Sequence, residues 1–296
     1  MRKSNRLLFY EIFKISLNNQ DIVTTNLDIV NTSKTPVYKI RKCNYDNEDQ
    51  SGFYLTNDIL YQFDENQKLN EAISFEINGE ISLQIQLEYD TKNRLIVQKG
   101  WSKNNIETFE YAITYHDEEQ VEEIKFKCNE LVMDTEVTSF KDDKKQSVTF
   151  NDDNFNLINV YKYNDLEKLT EVAQFENQLL TNKSCYYYQE NGLVEILENR
   201  NAKDEINYKL MYFYDEKKRL KREIYESAFR SITEQTIFEY DLHNNLIKKS
   251  IFSNKECIKE IRRELNYDTN GNWIKIKHWL NNAIIKIEER EIEYRK

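Results

Sequence analysis

The sequence predicts an all-β protein in which tandem β-hairpin repeats form a long antiparallel meander, elongated or curled into an open spiral. Three observations predict this fold. Apolar and polar residues alternate with period two in many segments, as in strands with one buried face. Aromatic residues close such segments at intervals in the twenties, and most are followed by a polar turn. Long stripes of period 3.6 and helix caps are missing, which argues against a helical protein.

The composition is that of a folded chain that makes its turns without glycine. Of 296 residues, 39% are hydrophobic, and the 20 Tyr and 15 Phe argue against disorder. Glycine (5) and proline (1) are scarce. Asn and Asp must therefore supply most of the turns.

The repeat is defined by an aromatic residue that ends a strand and by an apolar residue six positions later. The intervals between the aromatics are 26, 26, 25, 23, 24, 27, 26, 27 and 27 residues. Tyr89 leads in this way to Leu95, and the copy at Tyr187 leads to Leu193. The weakest copy is the one at Phe140. The aromatics are Phe63, Tyr89, Tyr115, Phe140, Tyr163, Tyr187, Tyr214, Tyr240, Tyr267 and Tyr294.

The strand before each turn should bury the face that carries the aromatic. Leu83, Ile85, Leu87 and Tyr89 alternate with polar residues, which is typical of a strand with one buried face. We expect the turn-proximal tyrosines to be core residues, namely Tyr89, Tyr115, Tyr214, Tyr240, Tyr267 and Tyr294.

The turn chemistry can also be predicted. The Asp after the aromatic can accept hydrogen bonds from turn N–H groups. Three residues past it stand Asn93, Asn244 and Gly271, residue types that tolerate a left-handed backbone. The chain of each copy reverses direction at a second turn, such as Ser253-Asn254-Lys255, so each copy contributes two strands. The array should therefore supply about eighteen strands.

The motif Tyr-Asp-x-x-Gly/Asn-x-Leu/Trp resembles the YD repeat of the RHS family, over roughly residues 63–294. Tyr267-Asp268-Thr269-Asn270-Gly271-Asn272-Trp273 is the best single match. The segment Gln189-Glu190-Asn191-Gly192 is similar to MORN-like repeats of some antitoxin modules. RHS arrays wind into a β-spiral shell around a toxic C-terminal domain. This chain has few of the family's glycines and reaches Lys296 without such a domain, so the resemblance implies the hairpin architecture and not encapsulation.

The repeat divides the chain into two predicted parts. Residues 63–296 form an array of about nine YD-like hairpins. Residues 1–62 lack the motif but contain β-like runs at Leu7–Leu17 and Ile22–Val30, and we expect them to form an N-terminal β-rich cap over an open sheet edge.

The net charge and the cysteines indicate which cellular location and which classes of partner to expect. The net charge of −10 argues against nonspecific nucleic-acid binding, which needs cationic side chains. No stretch is long and apolar enough to insert into a membrane, and the N-terminus lacks a signal-peptide core. Cys43, Cys128, Cys185 and Cys257 are far apart, as in proteins of the reducing cytoplasm. We expect a cytoplasmic protein, although a dedicated secretion system is compatible with the same pattern.

The sequence predicts no catalytic residues, no cofactor and no metal site. His116, His243 and His278 belong to different repeats and follow no catalytic or ligand motif. Acidic clusters such as Asp117-Glu118-Glu119 and Asp152-Asp153 fall at turns, where Asp has a local backbone role.

The second face of the strands is the predicted recognition surface. By alternation, Trp273, Lys275, Lys277 and Trp279 share one face, and Trp101 follows Leu95, Val97 and Lys99 in the same phase. Ordinary cross-strand packing would also place aromatics beside long charged side chains. The candidate partner-binding residues are Trp101, Lys275, Lys277 and Trp279.

Three functions compete at this point. The first is a non-enzymatic protein-binding scaffold, concretely an immunity or antitoxin-like partner of a polymorphic toxin whose basic domain would suit an acidic binder. The second is a surface or secreted adhesion protein that binds glycans through aromatic residues. The third is an enzyme such as a glycosidase that uses turn carboxylates.

Overall fold

The chain is almost wholly β-strand in the part that the structure, a computed structural model, describes: residues 37–46, 54–102, 108–151, 156–229 and 233–294. Within these residues there are twenty strands and no helix, which confirms the all-β prediction. No helix in these ranges is therefore long and apolar enough to span a membrane. The expected strands Leu7–Leu17 and Ile22–Val30 lie outside the described residues.

The strands follow one another along the chain with short connections. In order they are β1 Val37–Asp46, β2 Tyr54–Phe63, β3 Leu69–Phe75, β4 Ile81–Tyr89, β5 Leu95–Ser102, β6 Thr108–His116, β7 Val121–Cys128, β8 Leu131–Lys141, β9 Lys144–Asn151, β10 Asn156–Tyr163, β11 Leu169–Glu176, β12 Leu179–Tyr188, β13 Val194–Asn201, β14 Ile206–Tyr214, β15 Leu220–Ser227, β16 Thr233–Tyr240, β17 Leu246–Ser253, β18 Glu256–Tyr267, β19 Trp273–Leu280 and β20 Ala283–Tyr294.

Consecutive strands pair in antiparallel fashion, as a meander requires. Examples are β2 with β3, β3 with β4 and β4 with β5, and the same holds from β8 to β18. The strands β3–β20 are the eighteen that the array should supply. The first motif aromatic, Phe63, ends β2, so this repeat begins upstream of residue 63.

The chain divides into two compact units. Unit 1 comprises the described residues of Met1–Thr114, Ile124–Met133 and Arg263–Lys296, and unit 2 comprises those of Tyr115–Glu123 and Asp134–Arg262. Unit 1 has an aliphatic and aromatic core that includes Leu83, Ile85 and Leu87, with side chains 0%, 1% and 6% exposed. Among the described residues of unit 2, the buried hydrophobic residues are Val148 and Ala173.

In unit 1 the last strand is paired with the first described strand. β1 pairs with β2 on one edge and with β20 on the other, and Ile40 stands opposite both Tyr61 and Ile292. The edge of β20 is thus hydrogen-bonded instead of free. The structure supports the antiparallel meander but not an open spiral, in which this edge would be unpaired.

The motif turns have the predicted chemistry. In the Asp90 turn, Oδ1 accepts hydrogen bonds from the N–H groups of Lys92 and Arg94, at 2.9 and 2.8 Å. The same pair of bonds forms at Asp64, Asn164, Asp215, Asp241 and Asp268. Asn93, Asn244 and Gly271 have φ of 64°, 68° and 82°, so the left-handed backbone expected there is confirmed. Gln67, Glu167 and Lys218 adopt it as well, which their residue types do not suggest.

A β-bulge follows each motif turn whose register is described. Glu88 stands opposite Val97 and Tyr89 opposite Leu95, so Ile96 is the extra residue. Leu95 is therefore buried on the same face as Gln98, and Val97 lies on the other face with Lys99. Simple alternation counted from the turn assigns the wrong face to the rest of the returning strand.

The motif tyrosines join neighbouring repeats instead of filling a core. Tyr89, Tyr115, Tyr214, Tyr240, Tyr267 and Tyr294 are all half-buried, so the expectation that they are core residues is wrong. In several of the described copies, the phenolic hydroxyl donates to the main-chain oxygen of the residue that opens the returning strand of the preceding repeat. The pairs are Tyr89–Leu69 (2.7 Å), Tyr188–Leu169 (2.6 Å), Tyr214–Val194 (2.8 Å) and Tyr240–Leu220 (2.8 Å).

The sixth copy of the motif is centred one residue later than the sequence predicts. Tyr188, not Tyr187, ends β12 at the bulge and stands opposite Val194. Gly192, four residues on, has the left-handed backbone, with φ of 89°. Tyr187 points to the opposite face and is 45% exposed. Three consecutive tyrosines made the phase ambiguous.

The weak copy at Phe140 is a different kind of turn. Phe140 stands opposite Lys145, and the connection is the pair Asp142-Asp143, both with positive φ. Two-residue turns with positive φ at both positions suit the twist of antiparallel strands. Asn129-Glu130, Asn177-Gln178 and Asn254-Lys255 have the same form.

Candidate binding surface

Trp101 lies in a cleft of unit 1 that is built from three neighbouring segments of the chain. The cleft has a volume of about 470 Å³, and its lining includes Lys99, Trp101, Glu110, Lys127 and Glu130. The pairing of β5 with β6 sets Trp101 opposite Thr108 and Lys99 opposite Glu110. Because residues two apart on a strand share a face, Lys99 and Trp101 present their side chains together.

Charged side chains surround the tryptophan in this cleft. Lys127 Nζ donates to Glu110 Oε1 at 2.6 Å, and Lys99 Nζ lies 3.7 Å from Glu110 Oε2. With Glu130, the two lysines and two glutamates balance in charge. Such partly exposed ion pairs add little stability, but their arrangement can orient a partner.

The turn that carries Glu130 is fixed against β6. The N–H of Asn129 donates to the main-chain oxygen of Thr108 at 2.9 Å, and its Oδ1 accepts from the N–H of Thr108 at 2.9 Å. Asn129 and Glu130 have φ of 48° and 68°. The start of β8 is thereby held next to the Trp101 cleft.

Three exposed hydrophobic residues follow this turn. Leu131, Val132 and Met133 are 71%, 54% and 51% exposed. The sequence reading missed them, although a signal was present: three consecutive apolar residues in a strand place at least one on the solvent face. We call the cleft residues Lys99, Trp101, Glu110 and Lys127 together with Glu130–Met133 the Trp101 surface.

Lys275 lies in a second cleft of unit 1, of about 340 Å³, on strands β1, β19 and β20. Its Nζ donates to Glu289 Oε1 at 2.7 Å, and the lining includes Arg41, Cys43 and Tyr45. Burial raises the pKa of the Cys43 thiol, and so does the carboxylate of Asp58. A thiol held in its protonated form is a poor nucleophile.

Lys277 and Trp279 lie farther along β19 than Lys275. Lys277 stands opposite Ile287, and the half-buried Trp279 stands opposite Ile284 beside a bulge in the β19–β20 pairing. Neither residue lines the two clefts described above. The structure therefore leaves the four candidate binding residues divided between two clefts and one strand end.

Trp273 does not share a face with the lysines, contrary to the expectation from alternation. Lys275 stands opposite Glu289, whereas the ring of Trp273 packs against the guanidinium of the next residue, Arg290, with its carbon 3.1 Å from the ring centroid. Trp273 is 5% exposed. It is a packing residue.

A buried ionic cluster lies on that inner face and joins β1, β19 and β20. Glu288 contacts Lys42 at 2.7 Å, Lys286 at 2.9 Å and His278 at 3.0 Å. Burial alone would raise the pKa of Glu288, but the close approach of His278 and the charges of Lys42 and Lys286 outweigh it and hold that pKa well below its usual range. The cluster fastens the first described strand to the last.

The histidines are not brought together. His116 is exposed at the end of β6, His243 is exposed in a motif turn, and His278 belongs to the Glu288 cluster. Within the described ranges, no three His, Cys, Asp or Glu side chains are grouped so that they could hold a metal ion. Asp152-Asp153 lie outside those ranges.

Comparison with known proteins gives weak structural likenesses. No protein-family model matches the chain, and no curated protein matches it. A porin-like protein from Bacteroides uniformis aligns over 88% of this chain and 97% of its own, with 10% identity and a TM-score of 0.38. A TcdB2-TccC3-Cdc42 complex aligns over 80% of this chain and 21% of its own, with 9% identity and a TM-score of 0.30. At these scores neither carries an argument about function.

Proposed function

We propose that the protein is a non-enzymatic protein-binding scaffold and that its partner docks on the Trp101 surface. The observation that carries this proposal is the exposed run Leu131-Val132-Met133 beside a tryptophan cleft. Contiguous exposed apolar residues with a polar rim mark interaction sites on soluble proteins. Tryptophan is enriched among the residues that dominate binding energy, and methionine adapts its shape to a partner.

The partner in this proposal is another protein, most concretely the basic domain of a polymorphic toxin, for which this chain would be the cytoplasmic immunity or antitoxin-like protein. The net charge of −10 favours a basic partner through long-range attraction and disfavours nucleic acid. The resemblance of the repeat motif to the YD repeats of the RHS family, which includes toxins, is the second argument for a toxin partner. The Trp101 surface is itself balanced in charge, so its own contribution would be apolar contact.

Affinity purification with a matched variant tests the proposal. The tagged chain is purified from its native cell at physiological salt, beside a double variant with Trp101→Ala and Val132→Glu and a control with Leu242→Glu. Leu242 is 92% exposed in a motif turn, so the control adds the same charge elsewhere. We expect a stoichiometric partner with the wild type and the control but not with the double variant. Recovery of no partner, or equal recovery with all three, would contradict the proposal.

A further inference from the structure

At one repeated position, unit 2 has half-buried tyrosines where unit 1 has fully buried residues. Two residues before the motif aromatic, unit 1 has the buried residues Tyr61, Leu87 and Ile113. The same position holds Tyr161, Tyr186 and Tyr212 in three consecutive repeats of unit 2, on β10, β12 and β14. All three are half-buried, so their rings remain partly accessible.

Strand register places these rings on one face of the sheet. Opposite residues in antiparallel pairs share a face. Tyr161 stands opposite Val172, which stands opposite Ser184, two residues before Tyr186 on β12. Tyr186 stands opposite Leu197, which stands opposite Leu210, two residues before Tyr212 on β14. Tyr212 continues the face opposite Glu223. Successive tyrosines are two strands apart and also offset by two residues along the strand, so their positions are about 12 Å apart.

Two further tyrosines widen the strip. Tyr208 stands on the same face of β14, and its ring centroid lies 5.6 Å from that of Tyr225 on β15. We call Tyr161, Tyr186, Tyr208, Tyr212 and Tyr225 the tyrosine strip.

The hydroxyls of the strip differ from those of the motif tyrosines. Tyr188, Tyr214 and Tyr240 donate to main-chain oxygens of the preceding repeat. Within the described residues of unit 2, the five hydroxyls of the strip make no hydrogen bond to a main-chain oxygen. Burial raises the pKa of Tyr212 to about 12, with Glu223 adding to the effect, so the phenol stays a hydrogen-bond donor at neutral pH.

Uncharged polar side chains flank the rings. The amide of Asn182 donates to Gln174, and Asn207 donates to Asn199 at 2.8 Å, so each pair keeps further donors and acceptors. Glu223 stands opposite Tyr212, and burial raises its pKa against the charge of nearby Lys249. Burial also raises the pKa of the Tyr161 phenol, and Glu136 lies close enough to add to this effect. Aromatic platforms with phenol and amide groups suit a ligand with apolar ring faces and many hydroxyls. Single-stranded nucleic acid also stacks on aromatics but needs a basic groove.

We infer that the tyrosine strip is a binding site for a linear neutral oligosaccharide, whose sugar rings stack on Tyr161, Tyr186 and Tyr212 while their hydroxyls bond to the neighbouring phenols and amides. The repeated spacing of the three rings suits a ligand that itself repeats. The residues of this site belong to unit 2, whereas those of the Trp101 surface belong to unit 1.

A glycan array with neutral, acidic and basic oligosaccharides of at least four sugars tests the inference. The wild type is compared with the triple variant Tyr161→Leu, Tyr186→Leu and Tyr212→Leu. Leu occupies the equivalent position at Leu87, so the strands should still form. The control is Tyr187→Leu, on the opposite face. A single-stranded oligonucleotide is included as a competing ligand.

We expect the wild type and the control to bind one set of neutral glycans, and the triple variant to lose about tenfold or more in affinity with an unchanged circular dichroism spectrum. Binding to no neutral glycan, binding to the oligonucleotide alone, or equal affinity of all variants would overturn the inference. If the triple variant loses its β spectrum, the single variant Tyr186→Phe tests the site instead. This variant keeps the stacking ring but loses the hydroxyl, so it should bind the glycans more weakly than the wild type. A Tyr186→Phe variant with wild-type affinity would contradict the inference.

Discussion

The phenolic hydroxyl of Tyr214 donates a 2.8 Å hydrogen bond to the main-chain oxygen of Val194, twenty residues earlier. Val194 opens the returning strand of the preceding repeat, so this bond ties one motif turn to the next. A basic residue strengthens some of these links: Arg219 lies 4.6 Å from the ring centroid of Tyr240, and Lys68 lies 5.0 Å from that of Tyr89. The motif therefore encodes contact between repeats as well as a turn.

Tyr214→Phe should lower the free energy of unfolding by about 1 kcal/mol, because it removes one neutral hydrogen bond and keeps the ring. The measurement is urea denaturation. Tyr187→Phe serves as the control, since its hydroxyl makes an exposed 3.3 Å contact with Glu198 and its loss should cost less. Equal effects of the two substitutions would mean that the Tyr214 bond adds nothing.

Asp215→Ala should lower the thermal midpoint, whereas Asp215→Asn should nearly preserve it. Oδ1 of Asp215 accepts from the N–H groups of Lys217 and Arg219, and Asn164 makes the same two bonds in its own turn. Differential scanning calorimetry measures both variants. A loss with Asn as large as that with Ala would show that charge, and not the turn hydrogen bonds, matters there.

Lys218→Asn should raise the free energy of unfolding by roughly 0.5–1 kcal/mol, because Lys218 has a φ of 62° and Asn accepts a left-handed backbone at lower cost. The reciprocal change Asn244→Lys, at the equivalent position of the next repeat, should lower it. Chemical denaturation of both variants checks the sign. A stability gain from Asn244→Lys would contradict the assignment of this turn position.

Glu288→Ala should destabilise the protein by about 3–5 kcal/mol, because it leaves Lys42 buried without its carboxylate. Replacing both partners, with Lys42→Met and Glu288→Leu, should recover most of this loss. A double-mutant cycle by denaturation measures the coupling. Additive losses would show that the ion pair does not fasten β1 to β20.

The same carboxylate predicts how stability depends on pH. The pKa of Glu288 in the folded protein is lowered from its ordinary value of 4.5, so its contribution is present above that value and is lost as the pH falls toward the folded pKa. The stability difference between wild type and Glu288→Gln should therefore shrink on acidification below about pH 4.5. A difference that stays constant between pH 7 and pH 3 would contradict the lowered pKa.

Local chemistry made much of the fold predictable. The aromatic intervals located the hairpins, and the Asp and Asn positions located the left-handed turns at Asn93, Asn244 and Gly271. The phase at Tyr187 was ambiguous because three tyrosines adjoin. The predicted face of Trp273 was wrong because the buried residues of β19, Trp273 and Ile276, are three positions apart and do not follow simple alternation.

Long-range features were beyond the reach of sequence patterns. The pairing of β1 with β20 joins residues near the two ends of the chain, and no local signal encodes it. The Trp101 surface depends on Asn129 bonding to Thr108, which brings Leu131–Met133 next to the cleft. The sequence placed Trp101 in phase with Leu95, Val97 and Lys99, but the bulge at Ile96 moves Leu95 to the other face, so Val97 and Lys99 alone share the face of Trp101.

The most direct test of the protein-binding proposal is the affinity of the recovered partner for Trp101→Ala and Trp279→Ala, measured by isothermal titration beside the melting temperature of each variant. We predict that Trp101→Ala raises the dissociation constant about 30-fold, as loss of roughly 2 kcal/mol at a hot spot does, with a nearly unchanged melting temperature. We predict that Trp279→Ala, outside the Trp101 surface, leaves the dissociation constant unchanged. Unaltered affinity with Trp101→Ala, or a fall of many degrees in its melting temperature, would contradict the proposal.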